Sequence, residues 1–344
     1  FVLAASVRRQ CVMKWWQAGG MVLGSMLSVL VQAAPVQKIC VFDPVGTQGE
    51  AFSLMRDFQL VAAKWGANLE LKAYTDERVA AEDFKAGQCD GVIITGLRGR
   101  QFNTFTGSID SVGSIPDYRH MRAVIEQLTS PKAASLMVSG PYEVAGIVPL
   151  GAAYVFVNDR SINSIEKAAG KKVAVLEWDK SQAKMVQQLG AQPVASDITN
   201  FAGKFNNGQV DIIASPAIAF KPLELYKGLG TRGAVYRFPL AQITANLMIR
   251  HEKFPEGFGQ RCRDYIGTQL DRAFKIIAAS EADIDAKYWL ELTEADKTNY
   301  TKLMREARLQ LMREGIYDRR TMALLKRVRC KFDPTAAECA LKDE

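Results

Sequence analysis

Histidine is nearly absent. Only His120 and His251 occur in 344 residues, in unrelated contexts, which leaves no material for a histidine-based triad or a zinc centre. No P-loop and no nucleophile elbow is found. Gly228-Leu229-Gly230-Thr231-Arg232-Gly233 has the spacing of a dinucleotide fingerprint. A helix precedes it and a strand follows, the reverse of the order that sets a pyrophosphate on a helix N-terminus, so it reads as a helix C-cap and turn. The pairs Asp283/Asp285 and Glu291/Glu294 fall in polar helical stretches and read as solvated faces. No catalysis, cofactor or metal is expected.

Charge of one sign is also scarce. Lys and Arg number 44 against 37 Asp and Glu, a net +7. Only Arg319, Arg320, Lys326, Arg327, Arg329 and Lys331 gather, and they read as a solvated helix face. No nucleic-acid module is expected. Apolar content of 48% and charged content of 24% are ordinary for a globular protein long enough for two lobes with their own cores.

The first 34 residues differ from the rest in pattern. Met13-Lys14-Trp15-Trp16 opens a short basic region, Met21 to Val31 is apolar, and Val31-Gln32-Ala33 suits a signal peptidase. Residues 1–33 therefore read as a secretory signal cleaved after Ala33, with 1–12 an upstream extension and Met13 the start. An uncleaved anchor helix is the competing reading. Loss of Arg8, Arg9 and Lys14 brings the net charge from +7 to +4. Export to the periplasm makes cysteines candidates for bridges. Cys330 and Cys339 frame a short tail, which suits a local staple. Cys40 and Cys89 each begin a strand and meet if those strands are parallel neighbours. Cys262 lies on an apolar helix stripe and reads as a core residue.

From residue 36 onward the chain alternates strand and helix. Lys38 to Phe42, Leu69 to Ala73 and Gly91 to Ile94 read as strands, with helices at 50–65 and from Asp76 to Gly87 between them. A second series follows, with strands Val173 to Val175, Gln192 to Val194 and Val210 to Ala214. In it, Ser161 or Ser164 caps one helix, Asp197 caps another, and Ser215-Pro216 opens a third. Val144 to Val148 and Ala152 to Val157 read as two strands around Pro149-Leu150-Gly151, crossing between lobes. The expected organisation is lobe 1 at 36–153, lobe 2 at 154–250, bracing helices at 251–330 and a tail at 331–344. The fold class is α/β: a two-lobed binding-protein fold of type II, each lobe a mixed or parallel sheet flanked by helices.

Ligands on such sheets bind beyond the carboxyl ends of the strands. Those ends carry Asp43, Thr47 and Gln48, then Thr95, Arg98, Arg100 and Phe102, with Tyr154 opening the crossing into lobe 2. An Arg fork suits a carboxylate or phosphate, and a solvent-exposed loop Arg is the plain alternative. Trp178 offers a stacking face and Glu177 a partner for a cation, with core packing the competitor for Trp178. Ser215, Gln242 and Asn246 add neutral hydrogen-bonding groups.

Ile165-Glu166-Lys167-Ala168-Ala169-Gly170-Lys171-Lys172-Val173-Ala174-Val175 opens the second series. It resembles the solute receptors of TRAP (tripartite ATP-independent periplasmic) transporters, as do Leu189-Gly190-Ala191-Gln192-Pro193-Val194 and Asn207-Gly208-Gln209-Val210-Asp211. Within that group the chain is most similar to the AdeT-like branch, whose members have also been named as efflux components. The resemblance spans residues 36 to about 325. It implies a periplasmic receptor that closes on a small organic molecule and delivers it to a membrane permease. It also places the family's ligand-clamping Arg at Ala174 and its Asn at Ser215. Both departures remove carboxylate-binding groups. Either Arg98 or Arg100 substitutes, or the ligand is neutral or cationic. An envelope protein of the same fold that binds a protein or envelope component is the alternative from another class.

Overall fold

The computed structural model describes residues 35–344. The secretory signal, its cleavage after Ala33 and the extension at 1–12 lie outside them. Eleven strands follow in chain order. They are β1 (Val36–Phe42), β2 (Asn68–Tyr74), β3 (Gly91–Thr95), β4 (Val138–Ser139), β5 (Tyr142–Val157) and β6 (Lys172–Leu176). The remainder are β7 (Gln192–Ser196), β8 (Ile212–Pro216), β9 (Ala234–Tyr236), β10 (Ala241–Arg250) and β11 (Trp289–Leu290).

The sheet runs β2-β1-β3-β10-β5-β8-β6-β7. Two parallel triplets, β2-β1-β3 and β8-β6-β7, flank a central antiparallel pair. β10 joins the first triplet through β3, and β5 joins the second through β8. Both joins are antiparallel.

Local chemistry accounts for most element ends. Asp76 accepts from the backbone N–H groups of Arg78 and Val79 and so caps the helix Glu77–Lys85. Gly87, at φ +78°, ends that helix in the left-handed conformation that glycine tolerates. Side chains alternate along the strands, giving one core on each sheet face. Cys40, Val92, Ile94 and Met248 pack on one side. Ile39, Val41, Ile93 and Leu247 pack on the other.

Four readings are corrected. The two strands expected around Pro149-Leu150-Gly151 are one, β5, of 16 residues. Its ladder slips by one residue between Ile243 and Thr244, which leaves Leu150 unpaired in a bulge with Gly151 at φ +102°. A bulge is where a strand accommodates a proline that cannot donate. Ser164, not Ser161, caps the helix Ile165–Ala168. Asp197 closes a turn on Thr199 and Asn200, and the helix begins only at Phe201. Ser215-Pro216 ends β8, followed by a single 3₁₀ turn. The glycine-rich run does end a helix, Tyr226–Leu229, with Gly230 beyond it at φ +53°.

Both cysteine pairs are joined: Cys40 within β1 to Cys89 just before the neighbouring β3, and Cys330 to Cys339 near the end. Cys262 is free and buried, and burial raises its thiol pKa. The basic cluster is not wholly a solvated face. Lys326 and Arg329 are buried, because the segment after the helix Arg319–Phe332 folds back over them. Arg329 donates to both oxygens of Glu338 at 2.7 and 2.9 Å and to the carbonyl of Ser114 at 2.9 Å. It also meets Glu344, whose carboxylate is shared with the buried Arg308.

Candidate functional site

A cavity of about 420 Å³ opens between the two strand triplets. Its floor is the central pair, through Ala241, Ile243 and Ala245 of β10 and Ala153 and Val155 of β5. Its walls come from the carboxyl ends of strands: Asp43 after β1, Thr95 in β3, Leu176 in β6 and Pro216 in β8. That is where an α/β sheet places a ligand. Ala174 stands on the wall, half-buried.

The walls are overwhelmingly apolar. No Lys, Arg or His is among the lining residues, whereas Asp43, Glu50, Asp110 and Asp179 are. Three of these carboxylates hold the protein itself together. Asp43 accepts from the N–H of Val45 at 2.9 Å and of Phe52 at 3.2 Å. Asp110 accepts from the Thr244 hydroxyl at 2.6 Å and its N–H at 3.0 Å. Burial pushes Asp110 up to about 7, against the lowering pull of those bonds and of Arg100. Asp179 accepts from the Ser181 hydroxyl at 2.5 Å and pairs with Arg100 at 3.5 Å.

The two arginines meet lobe-two residues across one edge of the cavity and do not line it. The Arg98 guanidinium lies 4.0 Å from the Trp178 ring centroid. Its Nε pairs at 3.4 Å with Glu77, which is 1% exposed. Burial raises the Glu77 pKa, while Thr95 and Arg98 pull it down. Thr95 caps the short helix Gly96–Gly99 that carries Arg98. Arg100 donates to the Gly107 carbonyl at 2.9 Å besides pairing with Asp179. The expected Arg fork for a ligand carboxylate is thus already engaged with internal acids.

Of the other expected residues, Asp43 and Thr95 border the cavity. Thr47, Gln48 and Glu177 are exposed and are not among its lining residues. Phe102 is buried between Phe84 and Tyr142, with ring centroids 5.2 and 5.0 Å away. The Tyr154 hydroxyl donates to Glu281 at 2.6 Å, and its ring meets Trp289 edge-on. Ser215 is fully buried and bonds the Pro216 carbonyl. Gln242 and Asn246 occupy the face of β10 opposite Ala241, Ile243 and Ala245. Both amide atoms of Asn246 and the Gln242 carbonyl oxygen are buried without a hydrogen-bond partner there. Asp110 and Asp179, which line the cavity, and Glu77, which pairs with Arg98 beside it, are candidate-site residues that sequence reasoning missed. The first two follow no motif, and Glu77 lay hidden in a helix first turn.

Residues 59–344 match the model of a family described as solute-binding protein AdeT 1/2. The chain belongs to that family. It is 55% identical over 303 residues to the probable solute-binding protein AdeT1 of Acinetobacter baumannii, covering 88% of this chain and all of that relative. It is 29% identical over 235 residues to AdeT2 of the same organism, covering 68% of this chain and 99% of the relative. A TRAP periplasmic solute-binding protein from Desulfovibrio salexigens, solved with orotic acid, superposes with a TM-score of 0.72 at 15% identity. The match covers 86% of this chain and 99% of that one. One from Ralstonia eutropha, with (S)-2-acetolactate, gives 0.71 at 15% identity over the same shares. One from Roseobacter denitrificans, with β-D-glucuronate, gives 0.69 at 16%, covering 85% of this chain and 99% of that one. The two-lobed α/β fold read from the sequence is the fold these proteins share. This AdeT-family member is accordingly a binding protein and not an enzyme. Among its described residues no helix is long and apolar enough to cross a membrane.

Proposed function

We propose that this chain captures a small organic molecule in the cavity between its strand triplets, in the periplasm, and presents it to a membrane permease of the TRAP type. The observation that carries the reading is the cavity itself, about 420 Å³ and walled by the carboxyl ends of both triplets. Its size suits a small-molecule site. The contacts of Arg98 with Trp178 and of Arg100 with Asp179 close one edge and draw the two halves together. Closure of this kind gains free energy when a ligand touches both walls at once. The organic acids named for the structural neighbours support the general mode of capture. Delivery to a permease rests on the likeness to TRAP receptors alone.

Mass spectrometry of material released on denaturing the protein isolated from a periplasmic extract tests this. A small molecule at about one equivalent is expected from the wild type. It is expected to be lost from Ala174→Trp, which fills the cavity from its wall. A protein that carries nothing the tryptophan displaces, and that no small molecule stabilises against heat, would overturn the reading.

A further inference from the structure

The cavity wall has a composition that favours one chemical class of occupant. A bound carboxylate gives up its hydration, and a protein repays that only with a cation or converging N–H donors. This wall supplies no Lys, Arg or His. From β6 the lining residues are Val173, Ala174, Val175 and Leu176, none of which has a polar side-chain atom to offer. The nearest arginines do not line it: Arg98 contacts Glu77 and Trp178, and Arg100 contacts Asp179 and Gly107 with its Nη2 buried and unpartnered. An incoming anion would also meet Asp43, Asp110 and Asp179 on the wall. An organic cation fares little better. Asp43 is already satisfied by two backbone N–H groups, Asp110 by its bonds from Thr244 and Asp179 by Arg100, while Glu50 is exposed to water at the rim. What remains is a surface of Ile243, Val155, Leu176, Met185 and Leu240, broken by few polar groups. Such a surface binds by removing apolar area from water.

We infer that the ligand of this cavity is an uncharged, mainly apolar molecule, not an organic acid. The inference rests on the reading of the cavity as the solute site and adds its chemical class. Ala174 is then a position that tunes specificity, since it is among the residues lining the cavity and a larger or charged side chain there would change the wall.

Fluorescence titration of the full chain with N-phenyl-1-naphthylamine, an uncharged apolar dye, provides the test. Three competitors share its naphthalene ring: 1-naphthalenemethanol, 1-naphthoate and 1-naphthylmethylammonium. The dye is expected to bind at one equivalent. The alcohol is expected to displace it at concentrations roughly tenfold lower than either charged analogue, a gap of one decade in affinity. Ala174→Arg is expected to invert the order in favour of naphthoate. Ala174→Leu, which adds bulk without charge, is expected to weaken every competitor while keeping the order, and it stands in should the Arg variant not fold. Wild-type preference for naphthoate or for the ammonium would overturn the inference and leave the solute site intact. Failure of the dye and all three analogues to bind would overturn both the inference and the solute-site reading beneath it.

Discussion

The cleft and the C-terminal clasp both bring distant elements together around buried groups, yet they treat charge in opposite ways. In the clasp, the buried Arg308 and Arg329 close on Glu338 and Glu344 with the chain's own acids as counter-ions. In the cleft, carboxylates border the cavity and no cation does. A modest net charge of +7 therefore says little about where anions are met. The cations that are buried are matched within the fold, and the solute wall is left to apolar contact. The two regions thus do different work: the clasp fastens through paired charges, and the cavity presents an apolar wall.

The sharpest way to break the contrast is at the clasp. Arg329→Ala would strand Glu338 and Glu344 without their main partner, and loss of one member of a buried pair costs about 3–5 kcal/mol. Urea unfolding should show it as a lower midpoint. Replacing Cys330 and Cys339 together by Ser removes a staple of sequence separation 9, worth about 2–3 kcal/mol. The wild type should fall to the same midpoint when unfolded under reducing conditions, after allowance for Cys40–Cys89.

Predictions at the cleft are smaller. Asp110 has its pKa raised from 3.8 to about 7 by burial. The folded state therefore holds a proton that the unfolded state releases, and stability is lost as pH rises from 3.8 to about 7. Asp110→Asn should flatten that slope and leave the protein about 1–2 kcal/mol more stable than wild type at pH 8. Thermal unfolding across that range checks it, and an unchanged slope would mean that another group is responsible. At the lower limit, Glu177→Gln touches an exposed side chain and should shift stability by no more than about 0.5 kcal/mol, with dye binding unaltered.

Much of the fold was legible because its signals are local. Apolar periodicity marks the helices, and Gly87, Gly170, Gly190 and Gly208 all adopt the positive φ that helix ends require. Reading failed where a distant partner decides the outcome. β5 runs through Pro149 by bulging at Leu150 while β10 stays paired on either side, and nothing near Pro149 announces that. Asp197 has the chemistry of a cap, but its turn satisfies it before a helix starts. The resemblance to the TRAP receptors put the family's ligand-clamping position at Ala174, which is among the residues lining the cavity. The commitments of Arg98 and Arg100 were not, since Glu77 and Asp179 lie 21 and 79 residues away and no pattern links them. Gln242 and Asn246 lie on β10 on the face opposite Ala241, Ile243 and Ala245, a placement that depends on the strand's register with its neighbours.

Because β5 and β10 each belong to both halves, the molecule has no seam. Expressing the halves as separate polypeptides would cut the two strands that every neighbour relies on and leave raw, adhesive edges on both fragments. Heating should accordingly melt the described chain in one calorimetric peak, since neither half can let go while the other keeps its grip on the shared ribbon.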